Sequence, residues 1–244
     1  MRTIIWFIYF WMSLLFVFPP MIRAGMARKH GDIAKCDKIT GFWVPRWANS
    51  LLKLAGVKVT VTGIENLPDE TCVFTANHEG YYDIPLVLTR LPKPYGIMAK
   101  KETLKIPLVR GWMKNIGCVF VDRNDIRAGM EALNQATENV KNGQSMIVFP
   151  EGTRSKNGEI GEFKGGSFRI AVKTGAPIVP LRIEGTRNIM ENNGYWMRPG
   201  KIELHILPPV ETKGLSKEEQ RALPEKIRQI IIDDRAKSRQ NENN

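Results

Sequence analysis

The chain has 244 residues, enough for one sizeable α/β domain with a short appendage and too few to require two independent cores. Its formal net charge of +11 and pI of about 9.7 point to an anionic partner: nucleic acid, an acidic membrane surface or a phosphorylated substrate. No zinc-finger spacing, basic region with heptads or Lys/Arg-Gly-aromatic strand signature is found, so nucleic acid is not expected as a partner. Cys36, Cys72 and Cys118 are an odd number, widely spaced and without a Cys-x-x-Cys pair, which fits a reducing compartment.

The first predicted element is apolar. Ile4 to Ile22 carries no charge, a length near the ~20 residues that cross a bilayer as a helix. Pro19-Pro20 is expected to stop that helix after about 15 residues, or ~22 Å. Three readings stay open: a spanning helix, a monotopic half-inserted helix, and a cleaved signal peptide with a poor cleavage site at Gly25-x-Ala27. Arg23, Arg28, Lys29, Lys35 and Lys38 then predict a membrane protein whose remainder sits on the cytoplasmic face, the inner-membrane face if the source is bacterial. From Ile39 to Val57, Phe42, Trp43, Trp47, Leu51 and Leu54 recur at mostly helical steps, as a second membrane-surface helix or as a core helix. Residues 1–56 are therefore read as a membrane-associated helical segment and 57–244 as a catalytic domain.

Beyond Val57, seven short β-branched runs, "VKVTVTG", "CVFTAN", "YGIMA", "CVFVD", "SMIVFP", "PIVPLRI" and "KIELHIL", alternate with helical patterns. "DIPLVLTRL", "DIRAGMEALNQATENVKNG" and "GSFRIAVKTG" read as helices, the second capped by Asp125 and closed at Gly143. The alternation predicts an α/β fold, a mixed and mostly parallel sheet covered by helices. A Ser216 cap with Glu219 opens a charged terminal helix, expected to break near Pro224 and to fray over "NENN".

The chemistry gathers around "ANHEGYYDIP". On a continuous helix His78 and Asp83 would sit roughly 140° apart, so they meet only across a loop. A strand ending before His78, a turn at Gly80 and a helix capped by Asp83 supply that loop, which leaves two readings: Asp83 orients His78 as a general base, or the two are a structural histidine and a capping aspartate. A zinc helix is excluded because the position four after His78 is Tyr82, and no Gly-x-Ser-x-Gly supports a serine hydrolase. "FPEGTRS" follows a strand and offers Glu151 to a hydroxyl, Gly152 for close approach and Arg154 for a phosphate, while "GCVFVDR" ends in Arg123, a second phosphate candidate. "GEFKGGS" lacks the Gly-Lys-Ser/Thr order of a nucleotide phosphate loop.

"NHEGYYD", "GCVFVDR", "FPEGTRS" and "APIVPL", in that order, resemble the four blocks of the glycerolipid acyltransferase family, and within it the 1-acyl-sn-glycerol-3-phosphate acyltransferases. The resemblance covers roughly Val57 to Pro208, with "MAKKETLKIPLVRGW" and "FKGGSFRIA" as connecting segments. It implies transfer of an acyl group from acyl-CoA or an acyl carrier protein thioester to lysophosphatidic acid at a membrane phospholipid surface, with no cofactor and no metal. It implies His78 as base, Asp83 as its orienter, Arg123 and Arg154 on the phosphate with Lys100 near it, and Glu151, Gly152 and Thr153 shaping the glycerol side. Glu79 and Tyr81-Tyr82 depart from the family's first block, which places acceptor or acyl preference in question rather than catalysis.

Overall fold

Seven strands form one mixed sheet in the computed structural model, which describes residues 1–92 and 94–242. They are β1 (Val57–Thr62), β2 (Val73–Ala76), β3 (Tyr95–Lys100), β4 (Val119–Val121), β5 (Ser145–Val148), β6 (Ile178–Glu184) and β7 (Gly200–Ile206), one in each predicted run. Their order across the sheet is β1-β7-β6-β2-β5-β3-β4, and every neighbouring pair is parallel except β6 with β7. The expected α/β fold with a mixed, mostly parallel sheet is present. All four residues of the central β2 are buried, as a strand covered on both faces requires.

Among the described residues eight α-helices accompany the sheet: α1 (Arg2–Phe16), α2 (Phe18–Lys29), α3 (Ile33–Ala55), α4 (Asp83–Arg90), α5 (Val109–Asn115), α6 (Ile126–Lys141), α7 (Phe168–Thr174) and α8 (Lys217–Glu242). Side chains alternate across the strands. Phe74, Ile147, Val179 and Leu181 enter an apolar layer with α3, α4 and α5, whereas Val73, Met146, Val148 and Ile178 enter a second layer with α6, α7 and α8. Asp125 caps α6 by accepting from the amides of Arg127 and Ala128, and Ser216 and Glu219 exchange hydrogen bonds at the start of α8. The break expected at Pro224 does not occur. Helix α8 runs through it, without the amide that would have reached the Gln220 carbonyl. Asn241 and Glu242 of the tail belong to α8; residues 243 and 244 lie outside the described residues.

The apolar amino terminus folds as two helices bent by 49°. The break falls at Val17, and Pro19 and Pro20 open α2 instead of ending α1, because first-turn amides have no partner within a helix. Among the described residues no single helix is long and apolar enough to cross a membrane, although α1 and α2 together pass by length and composition. One face of the pair is held by the domain: Trp6, Leu14, Val17 and Met21 join the first apolar layer, and the Trp6 indole donates to the Leu51 carbonyl at 3.0 Å. Its other face presents Ile4, Ile8, Met12 and Phe16 to the outside, with Ile8 and Met12 each 60% exposed. Helix α3 is a core helix along Cys36, Thr40, Val44, Ala48, Leu51, Leu52 and Ala55. Of the predicted stripe only Leu51 lies on that face; Phe42 is exposed and Trp43, Trp47 and Leu54 flank it half-buried.

Candidate active site

The carboxyl end of β2 releases the chain at Asn77, whose side chain is fixed by donating to the Ile183 carbonyl and accepting from the Ile183 amide. The loop 77–82 then turns back on itself before α4. His78 Nδ1 lies 2.6 Å from Asp83 Oδ2, so the loop brings the predicted pair together. Asp83 heads α4 but does not cap it: its carboxylate points back into the loop, where Oδ2 also accepts from the amides of Glu79 at 2.8 Å and Gly80 at 3.1 Å. Oδ1 accepts from the Thr186 hydroxyl. Two backbone donors on Oδ2 select an acceptor there, so His78 supplies its Nδ1–H. The neutral imidazole then keeps its lone pair at Nε2. The Asp83 side chain is fully buried while that of His78 is 19% exposed, the order expected of an orienter behind a base.

At Gly80 the constraint is space rather than a left-handed turn. Its φ is not positive; instead, a Cβ there would stand 3.0 Å from the Glu191 carboxylate oxygens and 3.2 Å from the Arg187 amide. Glu191 accepts from the Tyr81 amide at 2.6 Å and lies 4.0 Å from Arg154, whose guanidinium stacks over the Tyr81 ring at 3.6 Å from its centroid. Arg154 is thus held at the rim of the histidine loop by an aromatic face and a carboxylate.

Glu151 stands behind His78. One oxygen accepts from the His78 amide at 2.7 Å and the other from the Gly161 amide at 3.0 Å, while the Ser155 amide donates to the His78 carbonyl at 2.8 Å. Burial pushes the Glu151 carboxyl above its ordinary range, and the two amides oppose that rise. These contacts make Glu151 a brace between the two loops. Gly152 follows with φ +75°, a left-handed conformation that favours glycine. A side chain there would come within 3.5 Å of both the Arg123 guanidinium and Lys164 Nζ. Two cations thereby converge on one turn. Among the described residues neither has a carboxylate within ion-pair distance, and such a pair is a ready seat for a dianion. Lys164 belongs to the "GEFKGGS" run and was not predicted as a site residue.

Thr153 is exposed beside Gly152. Lys100 is exposed at the end of β3 and among the described residues forms no ion pair with a carboxylate; the neighbouring Lys101 pairs with Asp122 at 3.2 Å. Thr186, Glu191 and Lys164 are the site groups that sequence reading missed. Each reaches the loop from another part of the chain, so no local spacing marks them. Among the described residues no group of three or more His, Cys, Asp or Glu side chains is arranged to hold a metal ion.

Residues 58–184 match the family model described as Acyltransferase. The chain is 43% identical over 157 residues to the chloroplastic 1-acyl-sn-glycerol-3-phosphate acyltransferase BAT2 of Brassica napus, a match covering 63% of this chain and 45% of that protein. It is 34% identical over 182 residues to the 1-acyl-sn-glycerol-3-phosphate acyltransferase of Borreliella burgdorferi, covering 74% and 73%. The crystal structure of the 1-acyl-sn-glycerophosphate (LPA) acyltransferase PlsC from Thermotoga maritima superimposes with a TM-score of 0.80 at 31% identity, covering 94% of this chain and 91% of that one.

Proposed function

The chain belongs to the acyltransferase family, and from that premise we propose that it moves a fatty acyl group from an acyl thioester to the free sn-2 hydroxyl of 1-acyl-sn-glycerol 3-phosphate, giving phosphatidic acid. The observation that carries the reading is the His78–Asp83 pair joined through Glu151 to a turn on which Arg123 and Lys164 converge. It sets a base for a hydroxyl beside a seat for a phosphate. His78 Nε2 takes the hydroxyl proton as the oxygen attacks the thioester carbonyl, and Asp83 steadies the imidazolium. The tetrahedral intermediate expels the thiolate, which leaves with the proton from His78.

Transfer is direct in this reading. Among the described residues no serine or cysteine hydrogen-bonds to the His78 ring, and the three cysteines are buried elsewhere. Burial pushes the Cys72 thiol up to about 12, which removes its nucleophilic form. A donor activated as a thioester then matches a site that supplies a base and no nucleophile of its own.

The test is mass-spectrometric detection of phosphatidate from lysophosphatidate, with acyl-CoA and acyl carrier protein thioester as alternative donors. Absence of product with both donors rejects the reading. Removing one cation of the seat, by Arg123→Ala or Lys164→Ala, is expected to raise the acceptor KM roughly tenfold with kcat nearly unchanged, since both charges act on the ground state as well. A change confined to kcat would place these cations elsewhere in the reaction.

The exposed apolar face of α1 is the second part of the proposal. It lies in one leaflet of the cytoplasmic membrane face, where acceptor and product reside, with the domain above it. Ile8→Lys with Met12→Lys sets two charges into that face without touching the packed one, at ~2.5–3.5 kcal/mol each if they reach the hydrocarbon centre. Vesicle flotation is expected to show release of the variant from phospholipid, with turnover of a short-chain, water-soluble acceptor retained. Unaltered flotation would remove α1 as the anchor.

A further inference from the structure

We propose that Arg235, on the carboxyl-terminal helix α8, is a positioning residue for the His78–Asp83 pair and acts through Glu79. This rests on the reaction assigned above for its kinetic readout only. Glu79 is one of the residues, with Tyr81 and Tyr82, by which the first block departs from its family, and it is 4% exposed. Its amide donates to Asp83 at 2.8 Å, its Oε1 accepts from Arg235 Nη2 at 3.1 Å, and its Oε2 lies 3.5 Å from the Thr186 hydroxyl that donates to Asp83. The Glu79 side chain therefore anchors the peptide group that orients the orienter.

Arg235 holds more than Glu79. Its Nη1 donates to the Gly158 carbonyl at 2.7 Å and its Nη2 to Glu184 Oε1 at 2.9 Å, at the end of β6. Gly158 lies in the 155–161 loop, between the Ser155 amide on the His78 carbonyl and the Gly161 amide on Glu151. One planar guanidinium thus ties the loop that carries the base to the loop that braces it, and both to the sheet. Five donors in a fixed fork make arginine suited to that task, and a lysine ammonium cannot reproduce the three-way geometry. The docking of α8 itself has a separate fastening. Asp234 accepts from Arg182 at 2.7 Å and lies 2.9 Å from His205 Nδ1, which allows the helix to be loosened without touching the clamp.

Glu79 also separates positioning from simple stability. Burial, then Glu184 on β6 and Asp83 on α4, push its carboxyl up from 4.5 to about 7, with Arg235 on α8 and the Arg187 amide opposing. A carboxyl raised on folding contributes stability below its unfolded value, and that contribution is lost as pH rises through about 7. Glu79→Gln is therefore expected to gain thermal stability relative to the native chain between pH 5 and pH 8 while losing turnover. A residue that only holds the fold together would lose both.

The experiment uses the full chain in detergent micelles and reads two signals. One is kcat with lysophosphatidate; the other is the low-field proton resonance of His78 Nδ1–H, assigned by its absence in His78→Ala, which needs no substrate. Arg235→Gln is expected to lower kcat about tenfold with acceptor KM within about twofold, and to move or broaden that resonance. Arg235→Lys is expected to fall between, Asp234→Asn to lower Tm while sparing both signals, and Arg235→Gln to add little in a Glu79→Gln background. The proposal is overturned by an unmoved resonance in Arg235→Gln, by full additivity with Glu79→Gln, or by an Asp234→Asn variant that mimics Arg235→Gln. If Arg235→Gln does not fold, Glu79→Gln decides alone. A native chain without turnover would reject the assigned reaction and leave the resonance to judge Arg235.

Discussion

Replacing His78 by alanine is expected to lower kcat by on the order of 10³-fold or more while leaving Tm and vesicle binding near those of the native chain. The size follows from the role proposed for the imidazole: an sn-2 hydroxyl is a poor nucleophile at neutral pH, and Nε2 is the acceptor in the pair that can take its proton. The sparing of the fold follows from placement. The His78 ring is partly exposed and meets Phe149 at a centroid distance of 4.4 Å, whereas its backbone amide and carbonyl, which any residue supplies, bind Glu151 and Ser155. The alanine variant keeps those two bonds and loses the ring contact and the Nδ1–H donor to Asp83, whose Oδ2 still accepts from the Glu79 and Gly80 amides. Steady-state kinetics with circular dichroism melting and flotation on the same preparation checks all three. Residual turnover within tenfold of the native rate, in a folded protein, would mean that another group takes the proton.

The sheet was legible because its strands are short β-branched runs that alternate with helices, a pattern set by burial on both faces of a parallel sheet. The histidine loop was legible for a geometric reason: five residues cannot bring His78 and Asp83 together on a helix, and a strand end on one side with a helix start on the other leaves a single way to fold. Helix α5 escaped notice because seven residues with Gly111 in their midst give too short a period to read. Pro224 misled for the opposite reason, since packing of Leu223, Ile227 and Ile231 against the second apolar layer overrides one missing hydrogen bond. The site's outer contacts were invisible in principle. Thr186 stands 103 residues from Asp83 and Arg235 stands 156 from Glu79, and no spacing rule spans such distances. Glu79 and Tyr81 left a trace, as departures within the first block.

Asp83 admits a sharper test than His78, because two substitutions there are expected to fail by different amounts. Asp83→Asn keeps the shape. Its single side-chain oxygen is drawn to the place of Oδ2, where the Glu79 and Gly80 amides and His78 Nδ1 converge, and its amide nitrogen then faces Thr186, whose hydroxyl turns to accept. The tautomer of His78 survives and only the negative charge is lost, so the expected loss is about 10²-fold in kcat, from an imidazolium no longer stabilised in the transition state. Asp83→Ala leaves donors on the loop and on Thr186 without an acceptor in a fully buried place, at ~1–3 kcal/mol for each that water does not reach. Both orientation and charge go, and the loss is expected to approach that of His78→Ala, with a clear fall in Tm. Equal losses in the two variants would show that the charge alone is what Asp83 provides, and native turnover in Asp83→Asn would show that orientation alone is.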